Sequence, residues 1–272
     1  MSQAAYPGTD EYSMAELMTV EMSRNLAALD GKHGGVGMDS QIPASAIRLA
    51  QLTVAPSLTF FCAYTVNPTS DRMPSIGSWS PYGAEDLIAM TDDVVSLGLR
   101  GRRWGFGFNG GIQVDKYGNL NMLGIGPIDD LKVRGPGAIG LAWTATFECG
   151  FIYMYHHARR SFVEKVDYVS GPGFLDGGQS RWKIIKPFSK GPQLVYTPIC
   201  TMDFEKPSQR MRLRSVNPGY TVEDVVANTG FDLVIPEKVP TTKPPTLEEL
   251  TVLRSCVDRD RILRNFKRLT VG

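Results

Sequence analysis

Arg134 stands between Val133 and the run Gly135-Pro136-Gly137, a permanent cation beside main chain that carries no bulky side chains. An arginine fork matches planar oxygen pairs, and successive glycine N–H groups form a concave anion trap. The segment therefore has the chemistry to hold a carboxylate or a phosphate. A second stretch upstream is similarly equipped: Asn109-Gly110-Gly111-Ile112-Gln113, then Asp115-Lys116-Tyr117-Gly118-Asn119-Leu120-Asn121. Gly110 and Gly111 let a ligand approach the backbone closely, since neither has a Cβ in the way. Asp115 opens a tight turn, and Gly118 supplies the positive φ such a turn needs. Asn119 and Asn121 then share one face of an extended strand, where side chains repeat every second residue. These segments make Arg134 the candidate catalytic residue. They make Asn109, Gly110, Gly111, Gln113, Asn119, Asn121, Gly135 and Gly137 the candidate binding residues.

Strands and helices must deliver those loops. Ser13 and Glu16 form a capping box, and Met14, Leu17, Met18, Met22, Leu26 and Leu29 follow as one apolar stripe at helical spacing. Pro43 opens a second helix through Ala46, Ile47, Leu49 and Ala50. Leu58 to Tyr64 reads as a buried strand and Ala84 to Leu97 as a helix with Glu85 and Asp86 at its start. Trp104 to Phe108 is the strand leading to Asn109, and Val166 to Ser170 leads to a further glycine tip at Gly171-Pro172-Gly173. Gln193 to Phe204 and Met211 to Val216 read as hairpin strands, and Thr221 begins a helix that Gly230 closes as C-cap.

Alternating strands and helices predict an α/β fold, an open and mostly parallel sheet flanked by helices, with ligands beyond the carboxyl ends of the strands. The expected organisation is a loose leader over 1–12, a single domain over 13–235, and a semi-rigid linker over 236–246 with four prolines. Residues 247–272 would hold a last helix, Thr246 to about Lys267, packed on the domain or on a partner.

The formal charge of +1 gives no global attraction to nucleic acid or to a membrane surface, and Arg100, Arg102 and Arg103 read as a solvated helix end. Four scattered cysteines without CxxC spacing disfavour a zinc site and a disulfide framework, and fit a reduced, cytoplasmic protein. Adjacent His156 and His157 on a strand face opposite sides, so they do not share a metal. No metal site is expected.

GGIQVDKYGNLN, FVEKVDYVSGPGF downstream and NTGFDL near the end together resemble the β-type subunit of the glutaconate CoA-transferase group, within the family I CoA-transferases and their relatives. The resemblance covers most of the chain. It implies a CoA-transferase-like fold, an α-type partner subunit, a site between the two, and an acyl-CoA substrate whose coenzyme A is part of the substrate. Transferases of this family use a glutamate of the β-type chain that attacks the thioester, a nucleophile already charged at neutral pH. Laying Ala55-Pro56 on the family's Ala-Pro dipeptide puts Ala63 at the glutamate position. Neither Ala63 nor its immediate neighbours offers a carboxylate, and Cys62 faces away from Ala63 on a regular strand. Relatives lacking the glutamate include steroid ring-opening CoA-thioester hydrolases and a glutaconyl-type decarboxylase. This chain resembles the ring-opening group in Val133-Arg134-Gly135 and in the Gly-Arg-Arg before the central strand. The resemblance thus implies a hydrolase or lyase subunit whose acid/base residue comes from the partner. The alternatives are a working transferase with a displaced carboxylate and a non-catalytic stabilising subunit.

Overall fold

Ser13 caps α1 (Met14–Asn25) as its spacing predicts: Glu16 N donates to Ser13 Oγ at 3.1 Å and Ser13 N donates to Glu16 Oε2 at 2.7 Å. The expected single stripe is too narrow, for nine of the twelve residues of α1 are buried. A helix covered on nearly all sides is a core element, and α2 (Gln41–Leu52), whose Ile42, Ala46, Ile47 and Ala50 are buried, packs on it. The computed structural model describes residues 11–37, 40–62, 65–68, 84–88, 104–138 and 140–272. Ala63, the cluster Arg100 to Arg103 and leader residues 1–10 lie outside them. The chain divides into two compact units, one of Tyr6–Phe108 with Lys243–Leu269, the other of Asn109–Thr242 with Thr270–Gly272.

In the first unit β1 (His33–Val36) lies parallel to β2 (Thr59–Cys62), with β3 (Thr65–Pro68), β4 (Ala84–Ile88) and β5 (Trp104–Asn109) completing the order β5-β1-β2-β3-β4. β4 corrects the expected helix over 84–97. Residues 84–88 pair antiparallel with β3, Val66 opposite Leu87, so Glu85 and Asp86 sit on a strand and cap no helix. Pairing with a distant strand has overridden local helix propensity; residues 89–97 fall outside the described set.

The last helix is also shorter than expected. It spans Leu247–Val252, widens into a π-turn over Leu253–Val257 and stops. Asp258 accounts for the stop: its carboxylate accepts the N–H groups of Ile262 and Leu263, each at 2.8 Å, offering the backbone a non-helical arrangement. This helix packs on its own unit, where Arg254 Nε meets Glu16 Oε1 at 2.7 Å and Arg24 Nη2 meets Glu249 Oε2 at 2.6 Å.

The second unit carries β6 (Gln113–Asp115), β7 (Leu120–Asn121), β8 (Gly124–Ile125), β9 (Val133–Arg134) and β10 (Phe147–Tyr153). Then come β11 (His156–His157), β12 (Phe162–Val163), β13 (Pro192–Tyr196), β14 (Cys200–Phe204), β15 (Met211–Val216) and, at the chain end, β16 (Thr270–Val271). β10 and β13 are parallel, whereas β13-β14 and β14-β15 are antiparallel, so the expected α/β class holds with antiparallel strands added at the sheet edge. A second layer, β12-β6-β7, and a hairpin, β8-β9, carry the candidate loops.

Between the layers lies an apolar core including Val114, Leu120, Ile152, Phe162, Phe174, Val195, Met202 and Leu213. α3 (Val222–Asn228) opens on a Thr221–Asp224 capping box. Gly230 is needed there for closeness, not for left-handed backbone: a Cβ on it would sit 2.3 Å from Phe162 O. The proline segment is no free linker, since Val216 N donates to Pro240 O at 3.0 Å and Thr242 N to Val216 O at 2.8 Å.

Candidate active site

The turn at Asp115 forms as its composition predicts. Asp115 Oδ1 accepts from Tyr117 N at 2.9 Å and Asn119 N at 3.1 Å, Gly118 takes φ +72°, and the strands return with Gln113 opposite Asn121. Asn119 and Asn121 are both buried, and each is fully engaged. Asn119 Nδ2 donates to Asp115 Oδ2 at 2.9 Å and Leu175 O at 2.8 Å, while its Oδ1 accepts from Gly173 N at 2.9 Å and Leu175 N at 3.1 Å. Asn121 Nδ2 donates to Gln113 Oε1 and Gly124 O, both at 2.7 Å, and its Oδ1 accepts from Leu123 N at 2.9 Å. Gln113 Oε1 also accepts from Asp167 N at 3.2 Å, and Asp167 Oδ2 accepts from Gly126 N at 2.7 Å. Gln113, Asn119 and Asn121 thus tie four loops together.

Burial pushes the Asp115 carboxyl above its ordinary value, with the bonds from Asn119 and the turn N–H groups acting against it. That is the signature of a carboxylate built into the scaffold. Asp167 and Ser170 join the same framework, Ser170 Oγ accepting from Met122 N at 3.0 Å. Both belong to the FVEKVDYVSGPGF motif, where their polarity amid apolar neighbours was the available signal.

The segment 120–123 is the spine on which the candidate glycines converge. On one side Ile112 N donates to Asn121 O at 2.8 Å, and a Cβ on Gly111 would lie 3.0 Å from that oxygen. On the other, Gly135 N donates to Leu123 O at 2.8 Å and Gly137 N to Met122 O at 3.2 Å. The anion trap expected at 135–137 is therefore absent, because both glycine N–H groups serve the chain itself. Gly135 is still required: a Cβ there would stand 2.1 Å from Met122 O. Arg134 ends β9 exposed, and among the described residues its guanidinium meets no acceptor.

Open donors occur at the other candidate loop. Among the described residues, the N–H groups of Gly110 and Gly111 and the side-chain amide of Asn109 have no hydrogen-bond partner, and all three residues are half-buried. Asn109 lines a small crevice, walled by Gly118, Thr144, Gly150, Gly171, Pro172 and Gly191 among others. Among the described residues its lining holds no carboxylate, thiol or imidazole. Paired N–H groups without an acceptor, beside an amide, suit an oxygen that gains negative charge during acyl chemistry.

His157 lies elsewhere, stacked on Phe162 at 4.1 Å with its nitrogens on Thr197 Oγ1 and Thr229 Oγ1; burial lowers its pKa to about 3, so it is neutral and structural. His156 is exposed and His157 buried, the opposite facing that their adjacency predicts. Among the described residues no cluster of three or more His, Cys, Asp or Glu is placed to hold a metal, and no helix is long and apolar enough to cross a membrane.

Residues 90–228 match the family model for coenzyme A transferase. The B chain of the 3-oxoadipate CoA-transferase of Pseudomonas knackmussii is 33% identical over 248 residues, covering 90% of this chain and 93% of that one. This chain belongs to the coenzyme A transferase family. Another member it matches is the cholesterol ring-cleaving hydrolase IpdB subunit of Mycobacterium tuberculosis, 29% identical over 80% of this chain and 86% of that one. The crystal structure of glutaconate coenzyme A-transferase from Acidaminococcus fermentans shares the fold with a TM-score of 0.83 at 27% identity, over 94% of this chain and 98% of that one. The resemblance drawn from the three motifs is thereby established at family level, and the relatives named are B-type chains of both transferases and hydrolases.

Proposed function

We propose that this chain is the B-type member of a two-subunit coenzyme A enzyme that acts on acyl-CoA thioesters as a hydrolase or lyase, with the acid/base group supplied by an A-type partner. The observation that carries the reading is Ala63, a methyl group at the position aligned with the family's attacking glutamate. The crevice supports it, since none of its described lining residues carries a carboxylate, thiol or imidazole. In this reading the N–H groups of Gly110 and Gly111 and the Asn109 amide bind the oxygen that becomes anionic. Arg134, exposed and without a partner among the described residues, polarises a substrate carbonyl or anchors a carboxylate. Gln113, Asn119, Asn121, Gly135 and Gly137 act on the substrate only through the loops they hold.

For a cyclic β-keto thioester the steps balance without a covalent enzyme intermediate. Water adds to the ring ketone, losing a proton to the partner's base. The bond to the α-carbon breaks, its electron pair passes into the thioester enolate, and a proton returns to that carbon. The products are a carboxylate and a ring-opened thioester. Donors preorganised for the oxyanion are typically worth about 10²–10³ in rate each.

A second reading has one observation in its favour: the 33%-identical relative belongs to a transferase. The co-expressed pair separates the two. Incubation with acyl-CoA followed by borohydride or hydroxylamine should leave activity intact and label no residue of this chain. Inactivation through a glutamyl thioester would overturn hydrolysis in favour of transfer. Release of free acid from cyclic β-keto acyl-CoA, without an acceptor acid, is the positive result.

A further inference from the structure

Among the described residues β8 and β9 pair only with each other, Gly124 opposite Arg134 and Ile125 opposite Val133, and form a hairpin apart from the larger sheets. Its base is anchored. Gly126 N donates to Asp167 Oδ2 at 2.7 Å, Tyr168 Oη to Gly126 O at 2.6 Å, and Asn121 Nδ2 to Gly124 O at 2.7 Å. Its turn is closed by Asp130 N on Pro127 O and Lys132 N on Ile125 O, each at 2.9 Å. Leu131 folds back so far that a Cβ on Gly124 would lie 2.9 Å from its Cδ1. The outer part is bare. Ile128 is 60% exposed and Val133 47% exposed, and Arg134, which alternates with Val133 along β9, is exposed as well. A strand open on both faces belongs to an arm that projects from its unit. Such a two-stranded hairpin is marginal in water unless something packs on its apolar residues. Val169, also exposed, follows the Tyr168 that braces the base, and Asp129, Asp130 and Lys132 are exposed around the tip. Aliphatic side chains rimmed by charges have the make-up of an interface.

We propose that the hairpin from Gly124 to Arg134 is a docking arm that seats in the A-type partner, with Ile128 and Val133 buried against it, so that docking fixes the position of Arg134. Two observations select this occupant. Arg134 stands on the face of β9 opposite Val133, so a surface that covers the arm runs on into the site where Arg134 would meet substrate. The tip carries Asp129 and Asp130 against the single Lys132, which calls for an apolar seat with a cationic rim. A second copy of this chain docking through the same arm would bring those carboxylates against their own counterparts, an arrangement that like charges oppose. The identity of the occupant rests on the two-subunit reading above, whereas the exposed, anchored arm does not.

The test measures assembly of the full chain with its A-type partner, by calorimetric titration and by sedimentation. Wild type is compared with Ile128→Asp and Val133→Asp, and with Ile184→Asp as control, a side chain 79% exposed elsewhere in the same unit. Each arm variant should weaken the pair by about ten- to a hundredfold, the loss expected when a buried aliphatic contact is removed. The urea midpoint of the lone chain should not move, and Ile184→Asp should leave the affinity within about twofold. Should either arm variant prove unstable alone, the double change Asp129→Lys with Asp130→Lys decides. It should weaken the pair at low salt, and the difference should fade as salt screens the rim charges. Affinity that is unchanged in the arm variants and falls in Ile184→Asp would overturn the arm and leave the two-subunit reading standing. A wild-type chain that forms no pair, but a dimer that the arm variants dissolve, would make a second copy the occupant and end both readings. A pair that forms equally well in every variant, or a wild-type chain that neither pairs nor self-associates, sinks the proposal.

Discussion

Two buried charged centres show how differently the halves of this chain are closed. In the helical unit the carboxylate of Glu16, 1% exposed, is matched by Arg254, with Arg264 Nη1 at 3.5 Å, so residues 238 apart in sequence are locked by opposite charges. In the loop-bearing unit Arg181 is as deeply buried and is held only by carbonyls and a hydroxyl. The loops around it are joined through Asn119, Asn121 and Gln113, whose amides satisfy backbone groups that would otherwise be stranded. Charge pairing neutralises its surroundings and suits a scaffold. Amide networks fix a loop without adding or cancelling a charge.

If that contrast is right, the largest loss of stability should come from the amide network. Asn119→Leu strands the Gly173 and Leu175 N–H groups and strips the buried Asp115 carboxylate of its amide, a loss of about 3–4 kcal/mol. Urea unfolding of this chain measures it, and a loss under about 1 kcal/mol would mean that water replaces the network. Arg254→Ala should cost less, roughly 2 kcal/mol, because the arginine is a third exposed and Arg264 remains near Glu16. A larger loss there than in Asn119→Leu would invert the comparison.

A smaller effect follows from His157, whose ring nitrogens meet the hydroxyls of Thr197 and Thr229 and, at 3.8 Å, the sulfur of Cys200. Below its ordinary value of 6.5 the unfolded chain binds a proton there, while the folded chain resists until about 3. Its contribution to stability is therefore complete above pH 6.5 and is lost as the pH falls towards 3. Asp115, raised above 3.8, acts in the opposite sense: its contribution is complete below 3.8 and is lost as the pH rises. Replacing His157 by Gln should flatten the acid limb of a stability–pH curve between 6.5 and 3. An unchanged slope would show that this imidazole protonates in the folded state.

Local chemistry is legible in the sequence, and distant partnership is not. The capping box at Ser13, the helix start at Thr221 and the turn from Asp115 to Gly118 form as written, because each is decided within four residues. The Ala84 segment reads locally as a helix, yet its state is set by pairing with Val66 and Thr65, which no local pattern records. Asn119 and Asn121 share a buried face as strand periodicity requires, and their partners at 173–175 and 124 turn recognition groups into struts. Arg181 gives no signal at all: its acceptors are mostly backbone carbonyls, and every residue has one. Open N–H donors remain at Gly110-Gly111 and not at the second glycine loop, because Gly135 and Gly137 give theirs to Leu123 and Met122.

Arg134 should have the smallest effect on stability of any residue discussed. It is exposed at the end of β9 and, among the described residues, holds nothing, so Arg134→Ala should alter unfolding by no more than about 0.5 kcal/mol. Its effect on the assembled enzyme should be of another order, because a charged hydrogen bond to substrate is typically worth about 1.5–3 kcal/mol, or roughly ten- to a hundredfold in kcat/KM. Arg134→Lys should recover only part of that, since a point charge lacks the planar fork. Paired measurements on one preparation, urea midpoint and turnover with the A-type partner, separate the two quantities. Lost stability without lost turnover would make Arg134 another strut. Lost turnover at unchanged stability would set it apart from Asn119, whose replacement must disturb both.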